Sequence, residues 1–227
     1  MRGYYSARLT GERLQQCYEL ASARVRQYLE AEIDFVLSRL RPNDSVLELG
    51  CGYGRVAFRL AEGAARVVGI DTSRESLILA RHLARPGSRC EFLEMDASAP
   101  TFPDDAFDVV VCVQNGICAF AVDAQRLVRE ALRVTRPGGR VLFSSYSAAF
   151  WPQRLGWFES QAAAGLVGAL DHDRTENGTI VCDDGFRVGT YSAEAFRRLC
   201  RGLSVEPAIT TVDDSSVFCE ILVPGPA

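Results

Sequence analysis

The feature that most constrains this chain is the run Val46-Leu47-Glu48-Leu49-Gly50-Cys51-Gly52-Tyr53-Gly54-Arg55. A short apolar stretch ends at an acid, breaks into three alternating glycines and passes into an amphipathic pattern (Val56, Ala57, Leu60, Ala61). That order predicts a strand, a tight loop and a helix. Glycines in such a loop let the backbone reach positive φ and approach a ligand that any Cβ would push away. The helix start offers unpaired N–H groups beside it. A dinucleotide fingerprint would need its third glycine at position 55, which is Arg, so the spacing is acid-x-G-x-G-x-G instead.

Downstream, the pattern repeats with chemistry at each strand end. Arg66 to Asp71 is an apolar run closed by an acid, the signature of a buried parallel strand. Asp71 can accept both hydroxyl hydrogens of a ribose, or it can cap the helix that follows Asp71-Thr72-Ser73. Cys90 to Ala97 makes a third strand with Asp96 at its end, the alternative for Asp96 being a turn before Pro100. Val109 to Val113 is uninterruptedly hydrophobic and is expected at the centre of the sheet. It runs into Gln114-Asn115-Gly116, where open α/β sheets place ligands; the other reading is a plain Asn-Gly turn. A helix over Asp123 to Thr135 is ended by the turn Arg136-Pro137-Gly138-Gly139, and Arg140 to Tyr146 is the fifth strand.

Four features in this order, over residues 45–146, resemble the class I (Rossmann-like) S-adenosylmethionine-dependent methyltransferases. The resemblance implies S-adenosylmethionine as cofactor, with Glu48, Gly50, Cys51, Gly52 and Gly54 against its methionine part and sugar. It puts Asp71 and Thr72 at the ribose, Asp96 and the Ala97 backbone at the adenine, and Gln114 beside the donated methyl. Asn115 would help hold the acceptor, since an amide can donate and accept but cannot serve as a base. In related methyltransferases N-terminal helices cover the ligand, which makes Tyr5 a further cofactor contact and Tyr4 its companion.

Composition narrows the chemistry. The formal charge is −4 with a pI near 5.3, and neither end carries a block of like charge, so nucleic acid and anionic membrane are not expected partners. No run approaches the ~18 apolar residues of a membrane span. Met1-Arg2-Gly3-Tyr4-Tyr5 has no apolar segment of signal type, and a cytoplasmic location is expected. All 25 basic residues are Arg, which removes Schiff-base lysines and P-loop chemistry. Eight cysteines include no C-x-x-C and there are two histidines, so no metal site is expected.

The remaining segments frame that core. Residues 10 to 40 carry helical spacing, as one long helix or two, and Arg41-Pro42 stops it. Residues 147–191 are extra to the core: a helix from Ala149 to Leu170 containing Trp151 and Trp157, then a hairpin around Asp183-Asp184-Gly185. Asp171-His172-Asp173 lies there; His172 between carboxylates could act as a base, or the trio is a solvated loop. Ser192 to Arg201 is a helix, and Val205 to Val212 with Ser216 to Val223 an antiparallel hairpin.

The expected architecture is therefore one α/β domain, a three-layer Rossmann-like fold with a seven-stranded, mostly parallel sheet and one antiparallel edge strand. Its parts are an N-terminal helical lid (1–41), a cofactor-binding core (45–146), an acceptor cap inserted after strand five (147–191) and a C-terminal helix with two strands (192–227). The expected function is methyl transfer to a small-molecule acceptor. A non-catalytic protein that binds the same cofactor and, more remotely, a nicotinamide-dependent dehydrogenase are the alternatives.

Overall fold

The computed structural model describes residues 3–203 and 205–225; residues 1, 2, 226 and 227, which end the expected lid and C-terminal parts, lie outside them, as does residue 204. In chain order the elements are α1 (Tyr4–Ala7), α2 (Gly11–Glu19), α3 (Ala23–Leu37), β1 (Ser45–Leu49), α4 (Arg55–Leu60), β2 (Arg66–Asp71), α5 (Arg74–Leu83) and β3 (Cys90–Glu94). Then come β4 (Phe107–Cys112), α6 (Gly116–Ala119), α7 (Ala124–Val134), β5 (Thr135–Tyr146), α8 (Trp151–Ala163), β6 (Ile180–Val181), β7 (Arg187–Val188), α9 (Ala193–Arg201), β8 (Pro207–Val212) and β9 (Ser216–Leu222).

Seven strands form one sheet in the order β3-β2-β1-β4-β5-β9-β8. β4 is the middle strand, as its unbroken apolar run requires, and Val109 to Cys112 are all buried. The pairs β1–β2, β1–β4, β2–β3 and β4–β5 are parallel. β9 is antiparallel to β5 and to β8. The antiparallel strand is thus interior, correcting the expectation that it lies at the edge. The hairpin docks through its more apolar strand: Ser216 to Ile221 are buried on β9, while no residue of β8 is, so β8 takes the solvent side.

Two other expectations are refined. Arg136-Pro137-Gly138-Gly139 is not a turn between helix and strand but part of β5, which starts at Thr135 opposite Phe107 and shifts register before Val109 pairs with Arg140. The tetrad is a bulge in a strand, with Gly138 at φ 77°. The helix expected over Ala149 to Leu170 is a short 3₁₀ turn, Ala148–Phe150, followed by α8, with Pro152 in its first turn. It stops at Ala163, beyond which Gly165 takes φ 69°.

The N-terminal spacing resolves into two helices, and Ser22 restarts the second by accepting from Val25 N at 3.3 Å. α3 packs on the sheet side with α4, where Ile33 and Val36 join Val46, Val67 and Leu142. The opposite face holds Leu47, Val110, Phe143 and Phe196. A third cluster stands over the C-terminal strand ends: Leu9, between α1 and α2, and Cys17 of α2 meet Phe158, Leu166, Ile180 and Phe186 from the insertion. That cluster is stitched by Trp157 Nε1 donating to Cys17 O at 2.8 Å, Arg13 donating to Gly165 O and Leu166 O, and Tyr4 Oη donating to Asp184. The N-terminal helices and the insertion therefore form one roof.

Candidate active site

Beneath that roof lies a cavity of about 380 Å³. Its floor is the loop after β1. Gly50, Gly52 and Gly54 take φ of 74°, 52° and 85°, a left-handed backbone that side chains resist. At Gly50 the demand is also steric, since a Cβ would fall 2.4 Å from ring carbons of Phe120. Ile70 O holds the loop by accepting from Gly50 N (2.8 Å) and Cys51 N (3.0 Å).

Asp71, at the end of β2, braces this loop against the next one. Its Oδ2 accepts from Gly52 N at 2.9 Å and its Oδ1 from Ser73 N at 2.7 Å. Burial raises its pKa, against the lowering effect of those N–H groups. The cap reading and the ligand reading of Asp71 thus coexist: the formal N-cap of α5 is Ser73, while Asp71 still lines the cavity. Thr72 follows it on the wall. Asp96 is exposed and lines the far end, with Oδ1 accepting from Ser98 N (2.7 Å) and Ser98 Oγ (2.8 Å); Ala97 is buried next to it.

Two charged side chains on the wall have atoms without partners. Glu48 is 4% exposed and its Oε2 has no hydrogen-bond partner, and Arg55 leaves Nε and Nη2 unpaired while its guanidinium stacks 4.6 Å from the Tyr18 ring. Burial pushes the Glu48 carboxyl up to about 8, Arg55 opposing and Asp71 adding to the shift. Unpaired buried polar atoms are costly, and here they face a cavity able to hold a zwitterion. The methionine end of S-adenosylmethionine carries an ammonium and a carboxylate, which match Glu48 and Arg55. The donor set therefore fits this cofactor. Arg55 was used in the sequence only to reject a dinucleotide; its position directly after the third glycine was the available signal.

After β4, Gln114 and Asn115 both take positive φ, 56° and 63°. Gln114 N donates to Glu32 Oε2 (2.7 Å) and Ser144 Oγ (2.8 Å), and its side-chain Nε2 is buried without a partner at the cavity wall. Asn115 is 3% exposed; its Oδ1 accepts from Ser145 Oγ at 2.7 Å and its Nδ2 donates to Gly189 O at 3.0 Å. Those bonds couple the loop to β5 and to the insertion. Tyr5 lines the cavity, and burial raises its phenol pKa. His172 does not join these residues. It is exposed, in a surface dip with Glu159, Ala162 and Leu170. The geometry gives it no part in the cavity.

Sequence reasoning missed two buried charges. Glu32, on α3, is fully buried and accepts from Gln114 N, Ser144 Oγ and Ser216 Oγ, and burial pushes its carboxyl up to about 7. Arg154, on α8, is 1% exposed and lines the cavity with Trp157, Phe158 and Gln161 of the same helix face. The spacing of 154, 157, 158 and 161 marks that face in the sequence.

Residues 46–139 match the family model described as "Methyltransferase domain". The chain is 34% identical over 138 residues to 2-methyl-6-phytyl-1,4-hydroquinone methyltransferase of Synechocystis, covering 57% of this chain and 41% of that protein. It thus spans under half of that relative's length. Among solved structures, the PH0226 protein of Pyrococcus horikoshii superposes with a TM-score of 0.69 at 23% identity over 97% of both chains. The [4+2]-cyclase SpnF gives 0.66 at 18% identity, over 89% of this chain and 83% of that one. At these identities the structural likenesses speak for the fold alone. With the strand order and the glycine loop, the match shows a methyltransferase domain over residues 46–139, set in a Rossmann-like fold.

Proposed function

We propose that this chain transfers the methyl group of S-adenosylmethionine to a small-molecule acceptor. The observation that carries the reading is that one cavity is lined both by the glycine loop, Glu48, Asp71 and Asp96 and by the aromatic side chains Tyr146, Trp157 and Phe158. Glu48 and Arg55 would hold the methionine end over Gly50, Cys51, Gly52 and Gly54, Asp71 with Thr72 the ribose, and Asp96 with Ala97 the adenine. Gln114 and Tyr5 would close the site beside the sulfonium. Residues 45–146 then hold the cofactor, 1–41 and 147–191 close over it, and 192–227 complete the sheet. The acceptor named for the Synechocystis relative is a hydroquinone with a phytyl chain, and its aromatic ring is in keeping with this lining.

The bound cofactor supplies an electrophilic methyl on sulfur. The chain's own task is to hold the acceptor in line with that methyl and to keep water out, which the aromatic roof is built to do. Asn115 positions the roof over the strand ends through Gly189 and Ser145.

A second reading, cofactor binding without methyl transfer, draws on one observation: both ends of the Asn115 amide are bonded within the protein, which leaves only its second Nδ2 hydrogen for an acceptor. Calorimetric titration with S-adenosylmethionine and S-adenosylhomocysteine tests the first half of the proposal. Binding is expected to fall at least about tenfold in Asp71→Ala, by loss of hydrogen bonds to a charged group; unchanged binding refutes the ribose assignment. Release of S-adenosylhomocysteine on incubation with aromatic alcohols, acids, amines and thiols tests the second. Tight binding with no release across the panel favours the non-catalytic reading.

A further inference from the structure

The cap helix α8 brings a charge into the cavity that no carboxylate among the described residues pairs with. Arg154 is 1% exposed and heads the largest fully buried side chains. A guanidinium keeps its proton in proteins, and a buried charge without a counter-charge is strongly destabilising. Yet among the described residues Arg154 forms no ion pair.

Its local partners are neutral. Nη1 donates to Gly178 O at 2.7 Å, and Nη2 donates to Val188 O and Gly189 O at 3.2 and 3.3 Å. The Nε is buried and unpaired. The guanidinium carbon lies 4.5 Å from the Tyr146 ring centroid, 5.7 Å from Phe158 and 5.8 Å from Trp151. Carbonyl and ring contacts soften the charge but do not cancel it. A tie between α8 and the hairpin would need only neutral donors, as an amide has, so the positive charge itself calls for another explanation.

The placement supplies one. Arg154 lines the cavity, with Trp157, Phe158 and Gln161 on the same helix face. Gly189 O accepts from both Arg154 and Asn115, so the guanidinium is fixed one carbonyl away from the loop after β4. We propose that Arg154 recognises the acceptor, and that the acceptor is an aromatic compound bearing a carboxylate. The carboxylate completes the coordination of a cation the fold leaves unbalanced, while Tyr5, Tyr146, Trp157 and Phe158 enclose the ring. Arg suits this task because its N–H groups remain directional after some are committed.

The inference rests on the methyl-transfer reading, and the experiment separates the two. S-adenosylhomocysteine affinity is measured first by calorimetry; absence of binding brings down the reading of the cavity as a whole. With S-adenosylhomocysteine bound, 2-naphthoate and 2-naphthamide are titrated by saturation-transfer NMR. Wild type is expected to prefer the carboxylate by at least about tenfold, the scale of a charge-assisted hydrogen bond. Arg154→Met is expected to abolish the preference with S-adenosylhomocysteine affinity unchanged, and Arg154→Lys to keep part of it. Equal affinity of wild type for acid and amide overturns the proposal whether or not the variants fold. So does a preference that survives intact in a folded Arg154→Met protein.

Discussion

At the scale of single residues, the two buried glutamates make the molecule sensitive to pH. Glu48 titrates at about 8 and Glu32 at about 7, both raised chiefly by burial from an ordinary value near 4.5. A raised carboxyl means that the folded protein holds protons which the unfolded chain has released. Their stabilising contribution is complete below about pH 4.5 and is lost as pH climbs through 7 to 8. Thermal melts of the ligand-free protein should therefore fall between pH 5 and 8 because of these groups, and Glu48→Gln should flatten the upper part of that slope. Cofactor binding is expected to do the reverse at this site, because an ammonium beside Glu48 favours its ionised form. Titrations at pH 6.5 in buffers of different ionisation enthalpy should detect proton release on binding, absent in Glu48→Gln. Release of the same size in that variant would remove Glu48 from the methionine site.

Glu32 plays a different part from Glu48, because its hydrogen bonds all go to the protein. Glu32→Ala takes the acceptor away from the Ser144 and Ser216 hydroxyls and leaves Gln114 N with Ser144 Oγ alone, and each buried group left unpaired costs about 1–3 kcal/mol. A loss of at least ~2 kcal/mol in denaturant unfolding is expected; a loss under ~0.5 kcal/mol would show that water satisfies these groups. Nothing local in the sequence announces this residue. The glycine loop, Asp71 and Asp96 were legible because each is defined by neighbours a few positions away. Glu32 meets a partner 184 positions distant, and Arg154 one 34 positions away. A charge on an otherwise apolar helix face shows up in a sequence only when that face is known to point inward.

At the scale of elements, the roof is made of two pieces held by few polar bonds. Trp157 to Cys17, Arg13 to Gly165 and Leu166, and Tyr4 to Asp184 join the N-terminal helices to the insertion. We expect ligands to enter by a parting of these two pieces. Tyr4→Phe removes one bond at the rim and should speed S-adenosylhomocysteine dissociation a few-fold in stopped-flow, as expected for a bond worth about 1 kcal/mol. An unchanged rate would place the opening elsewhere. The sequence showed both pieces but not their joining, since pairing between helices far apart in the chain leaves no periodicity to read. Helix α8 was found with the wrong end for a related reason: the apolar residues after Ala163 continue the pattern, and Gly165 at φ 69° breaks it.

At the scale of the whole molecule, the interior position of β9 is what closes the sheet. Phe218 is fully buried, its ring centroid 4.2 Å from that of Phe35, whereas Thr211 on the outer strand is exposed. Phe218→Ala is expected to cost about 3–5 kcal/mol and Thr211→Ala under about 0.5, measured by urea unfolding. Comparable costs would contradict the strand order. The hairpin was legible from its turn and alternation; which of its strands faces inward was not, because that depends on β5 offering a partner.

Until the β8–β9 hairpin docks, Val141-Leu142-Phe143 of β5 line a bare strand border, and the insertion and α9 lie between the two in the chain. Unpaired apolar borders invite pairing with a neighbouring molecule. During synthesis the half-built sheet would thus be at its stickiest just before completion, and slowing translation over that interval, or a holdase that shields it, should decide how much of the product stays in solution.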